Sequence, residues 1–129
     1  MNETIASTIA GNSNYSSASG YDARMVHVLA TIELHPGVRT RFLGEFQQIV
    51  PEVRAEDGCV EYGAAVDVAT GLSAQPPVRD HVVVVVEKWR DVAALEAHLV
   101  APHMTAYRAR VTDLVVKTTI HVLEPAERS

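Results

Sequence analysis

The residues best placed for chemistry lie in one stretch, Glu96-Ala97-His98-Leu99-Val100-Ala101-Pro102-His103-Met104-Thr105-Ala106-Tyr107. His103 and Tyr107 are four apart, so on a helix they share a face. Met104 lies on the same side. Together they make an apolar surface with two polar, proton-handling tips, which suits an aromatic ligand. The same spacing also describes a helix that packs on a sheet while its Tyr and His reach to water, and spacing alone favours that plainer arrangement. His98 and His103 are five apart and separated by Pro102, which places them on different helices.

Other chemistries find little support. The six histidines show no metal spacing and no HExxH, and a metal site needs several convergent ligands. Cys59 is the only cysteine. It begins a strand just after a glycine, where a small structural hydrophobe is a better reading than a nucleophile. With one cysteine no disulfide within the chain can form, and a reducing cytoplasm is the expected compartment. No GxSxG, phosphate loop or dinucleotide fingerprint occurs. The net charge of −5 argues against nucleic acid as a partner, and no apolar run approaches the ~20 residues of a membrane span.

These residues need a scaffold, and the chain of 129 residues, 47% hydrophobic and 21% charged, has the length and composition of one globular domain. Residues 1–24 are rich in Ser, Asn, Gly and Ala and lack both periodicity and the basic start of a signal peptide. They read as a flexible extension. Apolar residues then alternate from Val26 to Leu34, a half-buried strand. Phe42, Leu43, Phe46, Ile49, Val50 and Val53 recur at three and four, an amphipathic helix over 38–55. Pro51 should kink it or weaken its last turn, and Asp57-Gly58 should stop it.

Residues 59–67 read as a second strand, 68–79 as a Gly- and Pro-containing loop, and 81–89 as a third strand. Val82 to Val86 are five consecutive valines, apolar on both faces, which implies burial on both sides of the sheet. Asp91 is a good N-cap for a short helix through Val92, Leu95 and Leu99. Pro102 opens a further helix that carries Met104, Tyr107, Val111 and Leu114 on one face. Residues 117–123 form the last strand, Pro125 ends the domain, and 126–129 is a tail. The order is that of an α+β ferredoxin-like βαββαβ fold, an antiparallel sheet with helices on one face. The second face of the valine strand is then left open, and a second copy packing sheet to sheet would cover it as a homodimer.

Residues 25–125 resemble the antibiotic-biosynthesis monooxygenase (ABM) family of dimeric α+β barrels, above all its bacterial quinol monooxygenases. The likeness rests on Leu34-His35-Pro36-Gly37, Ile49-Val50-Pro51, Glu56-Asp57-Gly58-Cys59 with Tyr62, Val66-Asp67 through Gly71, Glu87-Lys88-Trp89, Leu95 to Leu99, Pro102-His103-Met104 with Ala106-Tyr107, and Leu123-Glu124-Pro125. It implies oxidation by O₂ of a quinol or polycyclic phenol, commonly without metal or flavin. An electron-rich phenolate can itself pass an electron to oxygen, so the protein need only bind it, take a proton and stabilise the anion.

On this resemblance His103 is the candidate base and Tyr107 its catalytic neighbour, with Trp89, Tyr62, His98 and Met104 in the substrate pocket. In the family's haem-degrading members a Trp matches His98 and the haem-ligating His matches Arg108. Both departures argue against haem chemistry. Arg41, Arg79 and Arg108 leave open an isomerase acting on a small phosphorylated sugar or acid, and the fold also allows a non-catalytic dimeric binding or stress-response protein.

Overall fold

The computed structural model describes residues 24–127. The extension read from residues 1–24 lies outside the described residues but for Arg24, and the tail is described only to Glu127. Among the described residues the order is β1 (Val26–Leu34), α1 (Arg39–Arg54), β2 (Cys59–Ala65), β3 (Val82–Trp89), α2 (Val92–Leu99), α3 (Pro102–Val111) and β4 (Val115–Leu123). The strands form one antiparallel sheet in the order β2-β3-β1-β4. This is the ferredoxin-like α+β arrangement that the hydrophobic periods imply. Among the described residues no helix is long and apolar enough to cross a membrane.

The alternation in β1 sorts its residues as expected, with Val26, Val28, Ala30, Ile32 and Leu34 all buried. Antiparallel register carries that face onto β3, where Val28 is opposite Glu87, Ala30 opposite Val85 and Ile32 opposite Val83. The valine run is therefore two-sided but not evenly buried. Val83 and Val85 pack inward, while Val82, Val84 and Val86 stay half-exposed on the sheet's other face. Among the described residues both-sided burial is not met, because the three described helices cover the same face.

The core side of α1 places Phe42, Phe46, Ile49, Val50 and Val53 against the sheet. Each such side chain contributes about 1.5–3 kcal/mol by leaving water. The helix runs on through Pro51 to Arg54, and the Ala55 N–H still reaches the Pro51 carbonyl at 3.2 Å. Asp91 caps α2 through its carboxylate and the Ala94 N–H, 2.9 Å apart. β4 begins two residues earlier than its alternation suggests, because Val115 pairs with Leu34 across an irregularity in the register. β2 stops at Ala65, short of Asp67. Asp67 instead holds the long β2–β3 loop by receiving the Arg79 guanidinium on both oxygens, at 2.9 Å each.

One turn decides how α1 meets α2. Gly58 has φ +88°, and a Cβ placed there would stand 2.5 Å from the Ala94 Cβ on α2. Gly37 also has positive φ but open space around it. Replacing either glycine with alanine incurs the left-handed penalty of about 1–2 kcal/mol. Gly58→Ala adds a collision with a packed helix, of the kind that costs about 1–3 kcal/mol more. Urea unfolding should rank Gly58→Ala well below Gly37→Ala in stability, and equal losses would show that the close approach to α2 contributes nothing.

Candidate active site

The helix layer and the sheet enclose a cavity of about 320 Å³. Its floor is Ala30 and Ile32 of β1 with Val85 and Glu87 of β3. Tyr62 enters from β2, Phe42 and Phe46 from α1, His98 from α2, and Met104 and Tyr107 from α3. Arg108, Thr112, Thr118 and Ile120 also line it and are exposed, so they form its rim. The helices stop short of β4. Its residues opposite buried β1 positions, such as Ile120 opposite Ala30, are left open to solvent.

Aromatic rings build the wall. Phe46 stacks on Tyr62 with centroids 5.4 Å apart and meets Tyr107 edge-on at 6.2 Å. Tyr62 meets the His98 ring at 5.5 Å, and His98 lies 4.6 Å from the Trp89 ring. Such pairs add about 0.5–1.5 kcal/mol each beyond area burial and hold the rings in place. They come from α1, β2, β3, α2 and α3, so no single stretch of sequence contains the wall.

Within this wall sit polar groups that the described residues do not satisfy. Among the described residues no group hydrogen-bonds the Tyr62 or Tyr107 hydroxyl, or the Nε2 of His98. Buried polar groups ordinarily have partners, so their convergence on one apolar cavity marks a place for a ligand with polar edges. Burial pushes both tyrosine hydroxyls up, well above the usual phenol range. They therefore act as proton-holding donors. Burial pushes Cys59 up to about 12, which keeps it a thiol and supports its structural reading.

His98 is almost fully buried, and desolvation pulls its pKa down against the raising effect of Glu56. Its Nδ1 lies 3.0 Å from Oε2 of Glu56 and 3.2 Å from Oε1. A carboxylate only accepts, so Nδ1 carries the proton and Nε2 presents a lone pair. His103 approaches the same carboxylate from α3, its Nε2 2.5 Å from Oε2. Glu56 thus binds both imidazoles. It is delivered there by the turn that ends α1, in which the Glu56 N–H bonds the Val53 carbonyl and Gly58 reverses the chain.

The site residues read from sequence are divided by the fold. Tyr62, His98, Met104 and Tyr107 line the cavity. Trp89 is fully buried behind His98 and does not line it. His103 does not line it either. It faces a surface groove between α1 and α3 with Glu52 and Arg110. The expectation that His103, Trp89 and Tyr107 share one pocket is corrected on this point. Glu56 draws the His103 ring away, and the four-residue spacing puts only Tyr107 on the sheet. Of the three arginines, Arg108 alone reaches the cavity, and Arg79 is engaged by Asp67. Among the described residues no group of three or more His, Cys, Asp or Glu is arranged to hold a metal ion.

Two acidic residues of the site escaped the sequence reading. Glu56 gave no signal beyond its place beside the helix stop. Glu87 gave one, since the period of β3 that turns Val83 and Val85 inward turns Glu87 and Trp89 inward too. The Trp89 indole N–H donates to Oε1 of Glu87 at 2.8 Å.

The profile of the antibiotic biosynthesis monooxygenase family matches residues 25–110. The chain is 42% identical over 103 residues to the Escherichia coli protein named "Probable quinol monooxygenase YgiN", covering 78% of this chain and 98% of that one. Among solved structures, PA3566 from Pseudomonas aeruginosa superposes with a TM-score of 0.68 at 27% identity, covering 84% of this chain and all of that one. Rv0793 from Mycobacterium tuberculosis superposes with a TM-score of 0.66 at 26% identity, covering 81% and 98%.

Burial is the main cause that pushes Glu87 up from 4.5 to about 7, against the lowering effect of the Trp89 hydrogen bond, and the Glu56 charge adds to the rise. The folded chain therefore holds this proton more tightly than the unfolded chain does. The resulting stability is complete below about pH 4.5 and is lost as the pH rises through about 7. Urea titrations of wild type and Glu87→Gln should diverge with pH, the wild type losing up to about 3 kcal/mol relative to the variant across that window. Parallel curves would mean that Glu87 titrates as a solvated carboxyl.

Proposed function

The chain belongs to the antibiotic biosynthesis monooxygenase family, and from that premise we propose that it hydroxylates a quinol with O₂ in the cavity between helices and sheet, drawing on no metal or flavin. The observation that carries this reading is the apolar aromatic wall with the free His98 Nε2 and two tyrosine hydroxyls in it. A fused-ring quinol has the matching form, a flat apolar body with oxygens at its edge. The name of the Escherichia coli relative supports the same substrate class. The balance is quinol plus O₂ giving hydroxyquinone plus water.

His98 takes the first proton. Burial keeps its imidazole neutral near neutrality, and a neutral imidazole accepts a phenolic proton at Nε2. Glu56 fixes the ring and its tautomer and offsets the imidazolium charge once it forms, the role a carboxylate plays behind a catalytic histidine. His103 braces Glu56 from the surface side. The quinol anion is held by the Tyr62 and Tyr107 hydroxyls, with Arg108 adding positive potential at the rim. The anion then supplies the electrons that reduce O₂.

An oxygen electrode with a naphthoquinol tests this reading. His98→Gln should lower enzyme-dependent oxygen uptake by about 10²–10⁴-fold, the usual general-base range. His103→Phe should lose much less, and a chelator should have no effect. Full activity in His98→Gln would remove His98 from the reaction.

We also propose that two copies pack through the sheet face opposite the helices. Leu29, Val82, Val84, Val86 and Leu123 form apolar ground there, and among the described residues no helix covers it. Val84 lies centrally, opposite Thr31 of β1 and Ala65 of β2. Light scattering should give twice the chain mass for wild type, and Val84→Lys should shift it towards the single-chain mass. A wild-type monomer at micromolar concentration would rule this assembly out.

A further inference from the structure

Glu87 is a costly residue for an inward position of β3. It is 6% exposed, and a buried carboxyl without a cation is stable only if it keeps its proton. One of its oxygens receives the Trp89 indole N–H. Among the described residues no other group bonds it, and the side chain lines the same cavity as His98. A carboxyl whose only task was to satisfy Trp89 could do so from behind the wall. This one has oxygen to spare at the surface where the substrate is expected.

We propose that Glu87 is the general acid of the oxygenation, giving its proton to the oxygen that leaves when the O–O bond breaks. The proposal rests on the quinol reading above. His98 first takes a phenolic proton, and the ring carbon beside the resulting oxyanion uses an electron pair to form a C–O bond to O₂. His98 returns its proton to the distal oxygen, giving a ring hydroperoxide. His98 then takes the hydrogen on that ring carbon, the C–H pair becomes the second bond of a new carbonyl, and the O–O bond breaks. The departing hydroxide takes the Glu87 proton and leaves as water. The proton now on His98 restores Glu87. Without an acid at that point the hydroperoxide has another exit. It expels the peroxide group and loses its enolic proton, giving quinone and hydrogen peroxide.

The surroundings fit an acid and a base that line one cavity. Charged and titratable groups near Glu87 are Tyr62 and Cys59 of β2, Glu56 after α1, His98 of α2, and Tyr107 and Arg108 of α3. From β1 Val28 stands opposite, flanked on the same face by Val26 and Ala30. Tyr62, Tyr107 and Cys59 keep their protons in the neutral range. Burial, with a smaller push from the Glu56 charge, keeps the proton on Glu87, while burial keeps His98 free of one. Environments that separate an acid from a base in this way assign their roles.

Glu87→Gln keeps an acceptor for the Trp89 indole and removes the acid, so it separates catalysis from structure. With a naphthoquinol and O₂, hydroxyquinone formation should fall by about 10²-fold, within the general-acid range. Oxygen uptake should persist, with hydrogen peroxide accounting for it. In wild type the peroxide fraction should rise as the pH passes through about 7, a readout that needs no variant to fold. Unchanged hydroxyquinone yield in Glu87→Gln, or a wild-type peroxide fraction flat with pH, overturns the role of Glu87 while leaving the quinol reading in place. No enzyme-dependent oxygen uptake by wild type overturns both.

Discussion

The Glu56 carboxylate is the point on which the arrangement turns. It accepts from His98 on α2 and His103 on α3, and it stands two residues past the end of α1. Three helices are thereby referred to one side chain. Hydrogen bonds to a charged group are worth about 1.5–3 kcal/mol, more than neutral ones, and this one is shielded from solvent screening by its partial burial. The carboxylate reaches its place only because Gly58 takes a left-handed turn and lies close to Ala94. The backbone continues from there into β2, where the Arg90 N–H meets the Gly58 carbonyl at 2.8 Å. The Arg90 guanidinium also bridges to Asp57 at 3.0 Å. Site and fold share this turn.

From that anchor follows the division between the two histidines. The ring of His98 is held between a carboxylate, the Trp89 ring and the Tyr62 ring, so its orientation is overdetermined. His103 satisfies the outer side of the same carboxylate and reaches solvent. Two imidazoles five residues apart thus have opposite surroundings, one in the wall of an apolar cavity and one at a surface groove. A base needs the first kind of place, where loss of solvent keeps the ring neutral and a substrate can reach it.

The cavity carries a cost that a purely structural domain would avoid. A carboxyl, an imidazole nitrogen and two hydroxyls in apolar surroundings each forfeit solvation, by roughly 1–3 kcal/mol where no partner replaces it. The five-ring aromatic wall and the packed strands offset that cost. The open flank is β4, where Ile120 and Val122 stay exposed although they share the sheet face of the core. Among the described residues no helix covers this flank.

Much of the fold was legible in the sequence. The alternation in residues 26–34, the three-and-four spacing of Phe42 to Val53, the cap at Asp91 and the proline at 102 are local signals, and local backbone physics answers to them. The element order then restricts the sheet to few topologies. Four of the six residues read as the site, Tyr62, His98, Met104 and Tyr107, do meet in one cavity. The sequence could not say that His103 turns outward, that Trp89 stands behind His98, that Glu56 joins the two histidines, or that Glu87 lines the cavity. Those facts depend on which groups come within about 3 Å across large sequence separations, 42 residues between His98 and Glu56 and 47 between His103 and Glu56. Helical spacing specifies a face, but the partner waiting on that face is set by packing. A glutamate in a strand looks like any other until the register shows which side it faces and what buries it.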